Sequence, residues 1–280
     1  FFDRPTFTYS YVVHCPDTKR CAIIDSVLDF DYASGKTSTE MADRVLAYID
    51  EHKLSVDLIL ETHVHADHLS AAPYLKEKTG GALAIGDQIT LVQEVFGKAF
   101  NAGTEFERDG SQFDLLLQDE QTFSIGNIAC RALHTPGHTP ACMSYVMGDA
   151  VFVGDTLFMP DFGTARCDFP GGDARILFQS IHRLYQLPDD TRMFMCHDYG
   201  APGREEFKFE TTVGEEKRNN IHVNEGTSVD TFVDMRSTRD ATLDMPRLIL
   251  PSVQVNMRAG HFPPAEDNGQ VYLKVPVNLF

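Results

Sequence analysis

The chain has 280 residues, of which 42% are hydrophobic, and its formal net charge is −17. This length can supply a core for one large domain or two modest ones. The negative charge disfavours nucleic acid and anionic membrane surfaces as partners, and no apolar stretch approaches the roughly 20 residues that span a bilayer.

The first half of the sequence alternates predicted strands and helices. "TYSYVVHC" and "RCAIIDSV" predict two strands around the turn "PDTK". "STEMADRVLAYIDEHK" has apolar residues at helical spacing, and Ser38 or Thr39 can cap its first turn. "SVDLILET" predicts a buried strand, and "HLSAAPYLKEKTGG" predicts a helix with a glycine pair suited to a C-cap. "ALAIG" and "QITLVQEVFGKAF" add a strand and a helix.

The second half begins with a run of predicted strands: "FDLLL", "QTFSIG", "NIACRALHT", "MSYVMGD" and "AVFVGDT". After the loop "DFGTARCDFPGGD" come the helix "ARILFQSIHRLYQL" and the strand "TRMFMCHDYG". Two further helices, "GEEKRNNIHV" and "VDTFVDMRSTRD", precede an irregular tail. Strands followed by helices in two similar blocks predict two β-sheets packed face to face with helices outside. Composition alone leaves other α/β layouts open.

The six cysteines form no C-x-x-C pair and predict reduced thiols in a cytosol-like compartment. Cys15 and Cys21 flank the first turn and could face one another, but free thiols are favoured. Cys167 is expected to be a buried, inert thiol. The opening "FFDRPTFTYSYVV" lacks a basic segment before an apolar one, so we expect no signal peptide and a cytoplasmic location.

Potential metal ligands crowd together where "SVDLILET" ends. "THVHADH" contains His63, His65, Asp67 and His68 within six positions. Further donors end other strand-like runs, and these are His138, Asp155 and His197. Because strand ends can converge at one rim of a sheet, the seven nitrogen and oxygen donors predict a metal site. Imidazole and carboxylate ligands suit zinc or iron.

The remaining histidines have no spacing typical of metal ligands. His134 opens "HTPGH" and is expected to shape that loop or support the ligands. The others are expected to be structural or on the surface, and these are His14, His52, His182, His222 and His261.

The pattern H-x-H-x-D-H with later His, Asp and His resembles the metallo-β-lactamase superfamily over about residues 7–220. This resemblance implies an α/β fold, an αββα sandwich with the site at one edge. We expect one domain over 1–280, with a C-terminal extension at 221–280. In binuclear members one metal takes the positions of His63, His65 and His138, the other those of Asp67, His68 and His197, and the position of Asp155 bridges.

Several loops are similar to those of the persulfide dioxygenase branch: "GDTLFMPDFGTARCDFPGGDA", "CHDY", "GEEKRNNIHVNEG" and "ATLDMPRLILPSVQVNMRAGHFPP". Members of that branch bind a single Fe(II) at the positions of His63, His138 and Asp155. Such a triad leaves three coordination positions for a sulfur substrate and O2. The implied reaction converts glutathione persulfide, O2 and water into glutathione and sulfite. The remaining donors would then orient ligands and order water, namely His65, Asp67, His68 and His197.

The resemblance also indicates substrate-binding residues for glutathione, which carries two carboxylates. Arg166 matches the family's arginine after the aspartate ligand, and Tyr199 can donate from its phenol. Lys217 and Arg218 begin a helix whose family equivalents face glutathione. The implied partners are glutathione persulfide and O2, and relatives are often homodimers.

The intact donor set leaves a second function open. A glyoxalase II-like enzyme would hydrolyse a glutathione thioester with two zinc ions per chain, using metal-bound hydroxide. A non-catalytic metal- or thiol-binding protein is a third class. Open coordination positions argue against it, because storage of a metal does not require them.

Overall fold

The computed structural model describes residues 1–279. Its strands are β1 (Phe2–Asp3), β2 (Thr8–Tyr9), β3 (Tyr11–His14), β4 (Arg20–Ile24), β5 (Val27–Asp31), β6 (Lys36–Ser38), β7 (Ser55–Leu60), β8 (Leu69–Ser70), β9 (Ala82–Gly86), β10 (Leu115–Leu117), β11 (Thr122–Ile125), β12 (Ile128–His134), β13 (Met143–Met147), β14 (Ala150–Phe152), β15 (Arg192–Phe194) and β16 (Glu210–Thr212). Its helices are α1 (Glu40–His52), α2 (Ala72–Thr79), α3 (Ile89–Ala99), α4 (Ala174–Leu184), α5 (Val213–Asn219), α6 (Val229–Asp240) and α7 (Ile249–Asn256).

Two sheets form the centre of the fold. The first has the order β10-β9-β7-β4-β3, in which only the β3–β4 pair is antiparallel. The second has the order β11-β12-β13-β14-β15-β16 and is antiparallel except between β14 and β15. A small sheet, β6-β5-β8, lies beside the ligand loop that follows β7.

Three apolar layers explain why the sheets stack. On β4 and β7, Ile24 and Leu60 point into the layer between the sheets, where they meet Tyr145 and Phe152 of the second sheet. The alternate residues of β4 and β7 face outward and are covered by α1, α2, α3 and α7. On the other side, α4 and α6 cover the second sheet. This strand alternation produces the predicted αββα sandwich, which is confirmed.

One predicted helix start is wrong, and one predicted N-cap residue has the right position but makes no capping bond. The helix predicted from His68 begins only at Ala72, because Leu69 and Ser70 pair with β5 and Pro73 occupies the first turn, where proline is tolerated. Thr39 is the N-cap of α1, but its side chain makes no capping bond. Its hydroxyl instead donates to the Asp43 carboxylate at 2.8 Å.

The segment after 225 was expected to carry one helix and then an irregular tail. The helix α6 begins and ends where it was predicted, and residues 257–279 have no regular structure beyond turns. The helix α7 was not predicted, although nearly all of its residues are buried. It packs against β8, next to the ligand loop. Its sequence, ILPSVQVN, mixes apolar and polar residues without a one-sided helical pattern and contains a proline, so no helix was predicted there.

The structure also bears on the state of the cysteines and on whether any helix could span a membrane. All six cysteines are free and buried, as expected. Burial raises the pKa of the Cys167 thiol, which agrees with the expected inert thiol. Within residues 1–279, no helix has the length and apolar character needed to cross a bilayer.

Candidate metal centre

The ends of four strands deliver the seven donors to one edge of the sandwich. His63, His65, Asp67 and His68 follow β7. His138 lies in the loop after β12, Asp155 in a single 3₁₀ turn after β14, and His197 after β15. In the second sheet β12, β14 and β15 run in the same direction, so their C-terminal ends lie at one edge. The loop after β7 of the first sheet meets them there, and residues far apart in sequence converge.

One group of donors consists of His63, His138 and Asp155, whose ligand atoms all lie within 4.8 Å of one another. His63 Nε2 is 3.8 Å and His138 Nε2 is 3.7 Å from Asp155 Oδ2. All three residues are buried, with Asp155 7% exposed. This is the two-His, one-carboxylate combination expected from the sequence.

A second group consists of His65, Asp67, His68 and His197, again with ligand atoms within 4.8 Å of one another. His197 Nε2 lies 3.3 Å from Asp67 Oδ2 and 3.3 Å from Asp155 Oδ1. Asp155 therefore joins the two groups, and the structure brings all seven predicted donors together.

Hydrogen bonds outside the cluster fix which nitrogen of each imidazole faces inward. His63 Nδ1 contacts Thr62 Oγ1 at 3.0 Å, His138 Nδ1 donates to the carbonyl of Arg166 at 2.7 Å, and His68 Nδ1 donates to the carbonyl of Leu69 at 3.2 Å. His197 Nδ1 contacts Thr8 Oγ1 at 3.2 Å. In each of these histidines Nε2 is left for the interior of the site.

His65 is held in the opposite orientation by two carboxylates that the sequence analysis missed. Its Nε2 lies 3.0 Å from Asp25 Oδ1 and 3.4 Å from Glu61 Oε2, so Nδ1 faces the site. Asp25 also accepts bonds from the Thr62 backbone and hydroxyl, and Glu61 accepts one from Ser70. Both acids follow apolar strand residues, the signal that identified the other donors.

Burial sets the protonation of the imidazoles. It lowers the pKa of His63 well below the usual range and that of His68 to about 3, which favours neutral rings. Burial acts the same way on His65, but the adjacent Asp25 charge outweighs it and raises the pKa of His65. Burial also raises the pKa of the Asp155 carboxyl.

The unpartnered atoms of the cluster fit a metal. Within the cluster, six buried ligand atoms have no hydrogen-bond partner in residues 1–279, and these are His63 Nε2, His65 Nδ1, Asp67 Oδ2, His68 Nε2, Asp155 Oδ1 and His197 Nε2. A buried polar atom without a partner is costly unless something satisfies it. Neutral imidazole and carboxylate donors aimed at a shared point are the ligands that zinc and iron take.

A cavity of about 850 Å³ opens onto the cluster. Asp67, His68, His138 and Asp155 line its base. Its walls carry aromatic side chains, namely Phe7, Phe30, Phe158, Phe162, Phe169 and Tyr199. A mostly apolar cavity with a few polar groups at its base is the usual form of a small-molecule site.

Two of the predicted substrate-binding residues line this cavity, and two do not. Arg166 and Tyr199 are on its wall. The Arg166 guanidinium pairs with both oxygens of Asp168 at 2.6 Å and donates to the Asp244 carbonyl at 2.7 Å. Lys217 and Arg218 do not line the cavity. They lie on α5, where Lys217 pairs with Asp189 and Arg218 with Glu215.

Other cations at the cavity were missed in the sequence. Arg236 is buried and pairs with Asp240. Lys36, on β6, and Arg239 and Arg247, near the C-terminal helices, are exposed at the rim. Across residues 1–279, their side chains form no hydrogen bond or salt bridge. Isolated basic residues far apart in sequence gave no signal of a shared site.

Four of the histidines without ligand spacing have hydrogen bonds typical of structural residues. His134 Nε2 donates to the Pro140 carbonyl at 2.8 Å and so shapes the loop that carries His138. His222 Nδ1 accepts from the Thr164 backbone at 3.0 Å. His52 and His182 bond to carbonyls of their own helices.

Comparisons with known proteins agree with this geometry. Residues 3–197 match the metallo-beta-lactamase superfamily. A probable metallo-hydrolase of Burkholderia pseudomallei is 57% identical, covering 99% of this chain and 98% of the relative. Glyoxylase B2 of Dictyostelium discoideum is 50% identical, covering 99% and 96%.

Proteins named for persulfide oxidation are more distant. The mitochondrial persulfide dioxygenase ETHE1 of Homo sapiens is 27% identical, covering 92% of this chain and 87% of the relative. The crystal structure of ETHE1 from Myxococcus xanthus superposes with a TM-score of 0.74 at 31% identity, covering 93% and 98%. Fold, ligand set and sequence match agree, and the chain belongs to the metallo-beta-lactamase superfamily.

Proposed function

We propose that the chain is a persulfide dioxygenase that uses one Fe(II) to oxidise glutathione persulfide. The balanced reaction is GSSH + O2 + H2O → GSH + SO3²⁻ + 2 H⁺. The sulfane sulfur takes two oxygen atoms from O2 and is released as sulfite, with water supplying the third oxygen. The proton of water replaces sulfur on the carrier thiol.

The observation that carries this proposal is the group formed by His63, His138 and Asp155 at the base of an open cavity. The ligand atoms of these three residues lie within 4.8 Å of one another, and His138 and Asp155 face the cavity. A two-His, one-carboxylate set leaves room on one side for a sulfur ligand and O2. Fe(II) held there would supply one-electron chemistry that zinc, with its filled d shell, lacks.

The protein residues around the triad would perform the binding and orienting steps. The carbonyl of Arg166 fixes the His138 ring, and Thr62 contacts the His63 ring. The aromatic walls exclude water from the sulfur. His65, Asp67, His68 and His197 would orient the open side of the site and order water there.

The rim cations support an anionic carrier thiol. Arg239 and Arg247 stand at the mouth on the C-terminal side, and Lys36 stands there on β6. Arg166 keeps N–H groups beyond those used by Asp168 and the Asp244 carbonyl. Asp29, Asp31 and Asp244 also line the cavity, but Lys36, Arg239 and Arg247 form no salt bridge with them. These cations can meet a ligand with two carboxylates, as glutathione has.

A second candidate is a binuclear hydrolase of glutathione thioesters. Its support is the second group of four donors, which is intact and joined to the first by Asp155. The names metallo-hydrolase and Glyoxylase B2 among the relatives favour it as well. Two bound metals would make hydroxide available at neutral pH for attack on a thioester.

Metal content and oxygen uptake separate the two candidates. The protein is purified without added metal, analysed for iron and zinc, and given glutathione persulfide in an oxygen electrode. We expect one iron per chain and one sulfite formed per O2 consumed. The reciprocal assay supplies a glutathione thioester and follows thiol release. The dioxygenase assignment would be wrong if the protein contained two zinc ions per chain and consumed no oxygen after iron reconstitution. Rapid cleavage of the thioester would then identify the hydrolase as the correct assignment.

A further inference from the structure

A single buried side chain from the C-terminal helix α7 holds the loop of metal ligands. Asn256 donates from Nδ2 to the backbone carbonyls of His65 and His68, each at 2.8 Å. Its Oδ1 accepts from the Ser70 backbone N–H at 2.8 Å. Asn256 is 5% exposed. Both amide N–H donors and the amide oxygen are therefore used on one short stretch of chain.

The loop that carries the metal ligands has no regular secondary structure that would hold its backbone in place. Residues 61–68 contain neither helix nor strand. Without Asn256, the carbonyls of His65 and His68 and the N–H of Ser70 would lose these partners in a buried region. Buried polar groups without partners are costly, so the loop would rearrange to find new ones.

The same side chain connects to the carboxylates behind His65. Ser70, whose backbone N–H meets Asn256, donates its hydroxyl to Glu61 Oε1 at 2.6 Å. The other oxygen of Glu61 lies 3.4 Å from His65 Nε2. A closed set of contacts thus runs from Asn256 through Ser70 and Glu61 to His65 and back to Asn256.

The position of Asn256 is fixed by tight packing just beyond it. After α7 the chain turns through Ala259 and Gly260, which have φ values of 58° and 84°. A side chain at Gly260 would meet Pro73 Cδ at 2.5 Å and the Ser70 carbonyl at 3.1 Å. The close approach that requires glycine here brings the end of α7 against β8 and the ligand loop.

We propose that Asn256 is a positioning residue of the metal centre, acting through the backbone of the loop that carries His65, Asp67 and His68. It lies outside residues 3–197, the range that matches the superfamily. The C-terminal extension is thereby part of the metal site. This inference rests on the metal centre of the proposed function but does not depend on which reaction occurs there.

The chain offers a matched control on the same helix. Gln254 donates to the carbonyls of Leu250 and Lys274 at 2.7 and 3.0 Å and accepts from the Lys274 backbone at 2.9 Å. It holds the C-terminal tail, not the ligand loop, with the same number of bonds. Gln254→Ala therefore shows how much the loss of a buried amide from α7 affects the protein when the contacts to the ligand loop are kept.

The test compares apo protein of the wild type, Asn256→Ala and Gln254→Ala. Hydrogen–deuterium exchange is measured at residues 65–70, and Co²⁺ is titrated into each protein as a probe, with the affinity and the visible spectrum recorded. In Asn256→Ala we expect exchange of this segment to rise about tenfold or more. The Co²⁺ dissociation constant should also rise, by about tenfold, the scale found for partners of metal ligands. Gln254→Ala should match the wild type in both.

Wild-type Co²⁺ affinity in Asn256→Ala would overturn the proposal, and so would an equal loss of affinity in Gln254→Ala. If circular dichroism shows that Asn256→Ala is unfolded, Asn256→Ser, which keeps one donor, is judged by the same criteria. Neither measurement uses persulfide or O2. Failure of the dioxygenase assay therefore leaves this result unaffected, and failure here leaves the reaction open to its own test.

Discussion

The imidazole of His138 donates its Nδ1 proton to the backbone carbonyl of Arg166 over 2.7 Å. Because a carbonyl only accepts, Nδ1 carries the proton and Nε2 presents its lone pair toward Asp155. The guanidinium of the same Arg166 lines the cavity. One residue therefore orients a metal ligand with its backbone and faces the ligand space with its side chain.

The first prediction concerns which residues retain iron. His63→Ala, His138→Ala and Asp155→Ala should abolish iron retention, because each removes one of three ligands. His65→Ala and His197→Ala should keep much of the iron, since they belong to the second group of donors. The measurement is iron per chain after gel filtration. If His197→Ala lost iron as completely as Asp155→Ala, the mononuclear assignment would be wrong.

The second prediction separates the two roles of Arg166. Arg166→Ala leaves the backbone carbonyl that accepts from His138, so iron content should stay close to that of the wild type. It removes a cavity cation, so KM for glutathione persulfide should rise about tenfold, the effect of one lost charged hydrogen bond. Steady-state oxygen uptake and metal analysis test both parts. An unchanged KM would remove Arg166 from substrate binding.

The third prediction concerns the rim cations. Arg247→Ala and Arg239→Ala should each raise KM for glutathione persulfide several-fold with little change in kcat, because exposed cations contribute binding that is uniform along the reaction. Salt should weaken substrate binding in the wild type more than in the variants. Arg218→Ala is the control, because it also removes an exposed arginine but one that lies on α5 outside the cavity. An increase in KM for Arg218→Ala as large as that for Arg247→Ala would contradict the assignment.

The fourth prediction concerns the loop that follows His197. Asp198 is buried and pairs with Arg204 through two hydrogen bonds of 2.5 and 2.7 Å. Burial raises the pKa of Asp198, but the hydrogen bond from Arg204 and those from backbone N–H groups outweigh it and hold the pKa below the usual range. Removing one partner of a buried ion pair leaves the other charge buried and unpaired. Arg204→Met should therefore lower the free energy of unfolding by about 3 kcal/mol near neutral pH.

The pH dependence of this cost has a definite sign. A carboxyl with a lowered pKa adds stability above its unfolded pKa of about 3.9, and that stability is lost as pH falls through the folded value. The penalty of Arg204→Met should therefore shrink as pH falls toward and below about 4, as measured by urea unfolding. Arg192→Met breaks the exposed pair with Glu210 and should cost less than about 1 kcal/mol. A penalty for Arg204→Met that does not vary with pH would contradict this account.

The sequence by itself determined the features that depend on local order. The continuous apolar runs of β4 and β7 specify strands that are buried on both faces, and apolar residues at helical spacing specify α1 and α4. The donors His63, His138 and Asp155 were identifiable because each follows an apolar strand-like run, and strand ends meet at an edge. Within the described residues 1–279, all seven predicted donors do converge.

Only the tertiary structure decided which residues support those donors. Asp25 and Glu61 reach the same nitrogen of His65, and Asn256 reaches the carbonyls of His65 and His68 from about 190 residues away. Asp25 and Glu61 follow apolar strands and could have been suspected at this edge, but which atoms they and Asn256 contact leaves no periodicity or spacing in the chain, because that geometry exists only after the sheets have stacked. The family resemblance led us to expect Lys217 and Arg218 at the cavity, but Arg239 and Arg247 line it instead, because only the packed C-terminal segment brings them there.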